Sequence, residues 1–99
     1  MKINITSVHF KTDQKLEKYI HEKIEKLSGL YEGLIGTEVT LRVEKNEKEG
    51  NKVAEIRLQI PGNDLFAKKQ SKSFEQSTDV AVEALRKQLV KYKKKVKGL

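Results

Sequence analysis

From Phe74 to Val96, apolar or nearly apolar side chains return every three or four residues: Phe74, Thr78, Val82, Leu85, Leu89, Tyr92 and Val96. Only an α-helix, turning once in about 3.6 residues, puts such a series on one side. The stretch therefore predicts a long amphipathic helix with one buried face. Ser73, with Gln76 three residues later, matches a capping box and sets its start. Glu75, Asp79 and Glu83 fall in the first turns and the cations in the last, the order that the helix dipole favours. One apolar face needs a sheet or another helix to cover it, and that requirement organises the rest of the chain.

The remaining segments supply such a sheet. Ile3, Ile5 and Val8 mark one face of a short first strand. Thr12-Asp13 offers an N-cap. A first helix then follows from Leu16, Tyr19, Ile20, Ile24, Leu27 and Tyr31, stopping near residues 28–32, where Ser28-Gly29, Gly33 and Gly36 interrupt the period. Three strands come next. Thr37–Asn46 alternates Val39, Leu41 and Val43 against Glu38, Thr40, Arg42 and Glu44. Lys52–Ile60 alternates Ala54, Ile56, Leu58 and Ile60 against Glu55, Arg57 and Gln59, after a polar hairpin loop over Asn46–Asn51. Pro61-Gly62-Asn63-Asp64 is a turn, and Leu65–Gln70 is a short, lysine-rich strand of the edge type. The order β-α-β-β-β-α predicts an α+β two-layer sandwich, two helices on one face of a four-stranded, mainly antiparallel sheet.

Charge is distributed unevenly along this plan. Between Arg86 and Lys97 stand seven basic residues (Arg86, Lys87, Lys91, Lys93, Lys94, Lys95, Lys97) without an acid, against a formal net charge of +7 for the whole chain. Residues 1–60 hold eleven Lys/Arg and ten Asp/Glu and are nearly neutral. A solvated helix end accounts for three or four lysines. Seven in twelve positions repel one another, and point to a polyanionic partner: a nucleic-acid backbone first, a membrane surface second. Arg42, Lys45 and Arg57 lie on or beside the middle strands. Lys68, Lys69 and Lys72 cluster at the edge strand, either as edge protection or as part of one basic surface if the lysine helix packs there. Lys23 and Lys26 are neighboured by Glu22 and Glu25, so pairing along the helix competes with a binding role.

Ninety-nine residues, 36% hydrophobic and 35% charged, predict a single domain over 1–99 with a thin core. No apolar run approaches the roughly 20 residues needed to cross a bilayer, and residues 1–6 carry no signal-peptide block. The expectation is a cytoplasmic protein. The absence of cysteine removes disulfides, a thiol nucleophile and cysteine metal sites. His9 and His21 sit in no metal-ligand or triad pattern, so neither metal, cofactor nor enzyme activity is expected. Tyr19, Tyr31, Phe74 and Tyr92 lie on or near apolar stripes and read as core. Phe66 is out of phase with Leu65 and Ala67 and reads as facing the open side of the sheet. With so little to stack bases on, backbone and shape are the expected targets rather than base sequence.

Several segments carry a family resemblance: Ile3-Asn4-Ile5-Thr6, Glu22-Lys23-Ile24-Glu25-Lys26-Leu27, Val43-Glu44-Lys45, and Leu85-Arg86-Lys87-Gln88-Leu89 running into Lys91-Tyr92-Lys93-Lys94-Lys95. In this order and spacing the chain resembles, over nearly its whole length, the short-form ribosome hibernation-promoting factors, or ribosome-associated translation inhibitors. The resemblance implies the same sandwich, similar in outline to double-stranded-RNA-binding domains. It also implies a stress or stationary-phase role: binding the small ribosomal subunit between head and body, occupying the mRNA and tRNA decoding channel, and blocking translation by occlusion. Carried over by position, Lys23, Lys26, Lys45, Arg86, Lys87, Lys91, Lys93 and Lys94 would contact rRNA. No small-molecule substrate or membrane is implied, and the free protein is expected to be monomeric. The chain departs from the family at Ser73-Phe74-Glu75, at Lys87 where arginine is common, and in its basic edge strand at Lys68-Lys69. The alternative is a general module for double-stranded RNA or other nucleic acid.

Overall fold

Six elements succeed one another in the computed structural model, which describes residues 2–45 and 48–97, the last two by backbone alone. They are β1 (Lys2–Val8), α1 (Gln14–Ser28), β2 (Gly36–Val43), β3 (Lys52–Gln59), β4 (Leu65–Ser71) and α2 (Phe74–Lys97). The expected β-α-β-β-β-α sandwich is observed. The sheet order is β1-β2-β3-β4. β1 runs parallel to β2, which requires a crossover, and α1 supplies it. The other two pairs are antiparallel, with Val39 opposite Ile56 and Ile56 opposite Ala67.

That register fixes the two faces of the sheet. Val39, Leu41, Ala54, Ile56, Leu58, Leu65 and Ala67 point to the helices and are buried. α1 covers them with Leu16, Ile20, Ile24 and Leu27, and α2 with Phe74, Ala81, Leu85 and Leu89. The apolar stripe of α2 differs from the expected one in its middle. Ser77 and Ala81 are fully buried while Val82 is half-buried, because small residues let the helix lie close to the sheet. Ser77 donates to the Lys52 carbonyl and shares a hydrogen bond with Ser71 (2.6 Å), which fastens the start of α2 to the adjoining strand ends.

Both helix starts are capped as the residues suggest. Asp13 accepts from the Leu16 amide (2.7 Å) and Ser73 from the Gln76 amide (3.1 Å). Two turns use glycine in the left-handed region, Gly50 (φ 61°) and Gly62 (φ 80°). His9 takes the same conformation (φ 70°) where the chain leaves β1, and Phe10 then stacks on Phe74 with ring centroids 4.6 Å apart. Neither feature was anticipated from the sequence. β2 ends at Val43 rather than Asn46, and Asn46 and Glu47 of the expected hairpin loop lie outside the described residues. So do the side chains of Val96 and Lys97.

α2 is longer than the sheet on which it packs. Its 24 residues span about 36 Å, while strands of seven or eight residues span about 25 Å. Gln88 donates to the Phe66 carbonyl (3.1 Å), which sets it level with the beginning of β4. The residues after Leu89 therefore run past the end of the sheet.

Candidate nucleic-acid interface

The overhanging part of α2 meets the segment after α1. Tyr92 packs edge-to-face on Tyr31 with centroids 5.7 Å apart, and Lys93 donates to the Leu30 carbonyl (3.1 Å). Lys91, Lys94 and Lys95 are exposed, and none makes an ion pair with a described residue. The result is a projecting helix end whose three exposed lysines take no part in the core. Lys93 differs from its neighbours, because part of its donor capacity is spent on the Leu30 carbonyl.

At 100° per residue the basic side chains of α2 divide around the helix. Arg86 and Lys93 turn toward α1. Arg86 lines a groove there with Lys23 and Lys26, so three of the expected contact residues, from elements sixty positions apart, come together. Lys87 turns the other way and lines a second groove with Lys69 of β4. The merging of the lysine helix with the edge strand is thus observed for Lys69. Lys68 points to the open face of the sheet instead, 3.7 Å from Glu55, which also holds Arg42 at 2.9 Å.

Lys45 is not brought to this assembly. It comes after β2 at the sheet end where Val43 pairs with Lys52 and Lys52 with Ser71, the end at which α2 begins. Lys91 and Lys94 lie beyond the opposite end, about 30 Å along the helix.

Acids enter both grooves. The Tyr19 hydroxyl donates to the Asp79 carboxylate (2.7 and 2.8 Å), and Lys23 lies 3.4 Å from the same group and 5.4 Å from the Tyr19 ring centroid. Tyr19 is thus half-buried between the helices rather than in the core, and Lys23 pairs across to α2 rather than along α1. Next to the Asp79 carboxylate the phenolate form is disfavoured, first through the hydrogen bond and then through desolvation, and the Tyr19 pKa is pushed up to about 12. One turn further along α2, Arg86 donates to both oxygens of Glu83, the Nε contact being 3.0 Å. That hydrogen bond lowers the Glu83 pKa and raises that of Arg86. The spacing of Glu83 and Arg86 could have revealed this pair, whereas counting cations from Arg86 onward hid it.

Gly33-Leu34-Ile35-Gly36 has the spacing of a phosphate-gripping GxxG loop, but a Cβ at Gly33 would strike the Tyr31 ring, and Gly36 opens β2. Among the described residues no His, Cys, Asp and Glu cluster could hold a metal ion, and no helix is long and apolar enough to cross a membrane.

Known proteins share both the sequence pattern and this architecture. A ribosome hibernation promoting factor of Pseudomonas putida is 28% identical over 99 residues, covering 100% of this chain and 93% of that protein. One from Azotobacter vinelandii is 25% identical over 95 residues, covering 96% and 85%. Among solved structures, the N-terminal domain of Thermus thermophilus Protein Y superposes with a TM-score of 0.81 at 20% identity, over 93% of this chain and 99% of that one. A ribosomal subunit interface protein from Coxiella burnetii gives 0.83 at 19% identity, over 94% and 98%. At those identities the structures speak for the fold. The family model described as sigma 54 modulation protein / S30EA ribosomal protein matches residues 3–97, and the chain belongs to that family.

Proposed function

We propose that this protein binds the small ribosomal subunit through the basic helical face and silences translation by occupying the decoding channel of mRNA and tRNA. The observation that carries the reading is the overhang of α2. Lys91 and Lys94 stand beyond the sheet as exposed cations with no acidic partner among the described residues, where they can reach phosphates that the body of the domain cannot. Lys23, Lys26 and Arg86 extend the same basic surface onto the groove between the helices, and Lys87 with Lys69 extends it toward β4. Lys93 joins it in part, and Lys45 would need a separate contact at the other end of the domain. The names of the P. putida and A. vinelandii relatives support a hibernation role. The mechanism is occlusion, and every named residue acts as a phosphate ligand rather than as an acid, base or nucleophile.

Sedimentation with purified small subunits at physiological salt, in the presence of excess bulk RNA, tests the proposal. Co-migration that bulk RNA does not reverse supports it. Protein displaced into the bulk RNA fraction rejects it in favour of a general nucleic-acid binder.

A further inference from the structure

Asp79 and Glu83 stand four residues apart, one above the other on the solvent side of α2. Both line the α1-side groove with Lys23, Lys26 and Arg86, and both also line the β4-side groove with Lys69 and Lys87. They are therefore a ridge of two carboxylates between two cationic tracks. The two acids are held differently. Asp79 is fixed by the Tyr19 hydroxyl and by Lys23, and so latches α1 to α2. Glu83 is held by Arg86, through side chains that are 51% and 47% exposed.

From this arrangement we infer that Glu83 is a specificity-determining residue: as the releasable half of an acidic ridge, it occupies Arg86 and repels phosphate from the middle of α2, so that generic RNA is disfavoured over an RNA surface presenting phosphates on both sides of the ridge. The inference rests on the ribosome-binding reading and adds to it a source of discrimination. A phosphate strand laid along α2 toward Lys91 and Lys94 must pass over Asp79 and Glu83 and meets repulsion there. An RNA surface that brackets the helix engages each track separately. When phosphate displaces Glu83 from Arg86, the carboxylate still lies in the field of Lys87 one turn on. An exposed pair like this adds little to stability. Selectivity is where its presence on a basic face shows.

The test compares wild type, Glu83→Gln and Glu83→Asp for binding to a short RNA duplex of generic sequence and to purified small subunits, across a range of salt. One unit charge about 4–5 Å from a phosphate is worth roughly threefold to tenfold in affinity. Glu83→Gln should tighten duplex binding by that factor and steepen its log-affinity against log-salt slope by nearly one unit, as Arg86 is set free. Its affinity for small subunits, which also gain a freed Arg86 but do not cross the ridge, should rise by a clearly smaller factor, and Glu83→Asp, which keeps the charge, should retain the wild-type ratio. Equal gains on both partners, or no gain on the duplex by a variant that melts like wild type, overturns the inference. Wild-type protein that ignores small subunits overturns the ribosome-binding reading alone. The ridge is then decided by the duplex, where an unchanged affinity of Glu83→Gln refutes it.

Discussion

Truncating Leu89 to alanine removes a side chain that is fully buried at the last level of α2 still backed by the sheet. Leu85 lies one turn before it and is equally buried, while Tyr92 three residues later is half-buried. The cavity would thus be rigid on one side and able to collapse on the other. Leucine-to-alanine changes in cores cost about 2–5 kcal/mol, rising with the volume left unfilled, and partial collapse places this site at about 2–3 kcal/mol. For a domain of this size each kcal/mol lowers the melting temperature by about 4–8 °C, so a fall of roughly 8–24 °C is expected. Thermal melting followed by far-UV circular dichroism reads it. Val80→Ala is the control, on the same helix but 45% exposed, and should shift stability by no more than about 0.5 kcal/mol. A Leu89→Ala protein melting with wild type, or a Val80→Ala protein falling as far, would refute the assignment of the buried face.

An ultraviolet titration should show a tyrosine ionising near pH 12, and Tyr19→Phe should abolish that step. The sign comes from the raised folded-state value: the stability Tyr19 gives is complete below about pH 10, its ordinary value, and is lost as pH rises toward 12. A step near pH 12 that persists undiminished in Tyr19→Phe would contradict the Tyr19–Asp79 hydrogen bond. In cell-free translation with this protein as the only addition, inhibition should be relieved by added mRNA and initiator tRNA, and full translation at saturating occupancy would reject occlusion.

Periodicity made the fold legible because it reports burial locally: the α2 stripe, the alternation of β2 and β3, and the caps at Asp13 and Ser73 each arise from neighbours in sequence. Phe66 facing the open side of the sheet came from phase in the same way, and it is 46% exposed. Contacts over long separations left no such trace. The Tyr19–Asp79 bond joins residues 60 apart, and Lys93 finds a carbonyl 63 residues away. A cation's position in the sequence does not say whether an acid from another helix reaches it, as Asp79 reaches Lys23. Nor could composition reveal that α2 outruns the sheet, since that depends on the register set by Gln88 against β4. The basic cluster was visible in the sequence, but its division into two tracks and an overhang was not.

Phosphate binding by the α2 overhang is decided by the salt dependence of small-subunit binding, compared between wild type and a Lys91→Glu/Lys94→Glu double variant. Both residues are exposed on the overhang and dispensable for packing, so the variant should keep its circular dichroism spectrum and melting temperature. Losing two phosphate contacts should weaken binding severely at physiological salt and flatten the slope of log-affinity against log-salt by nearly two units. A folded double variant that binds with wild-type affinity and wild-type slope would contradict the role given to the overhang.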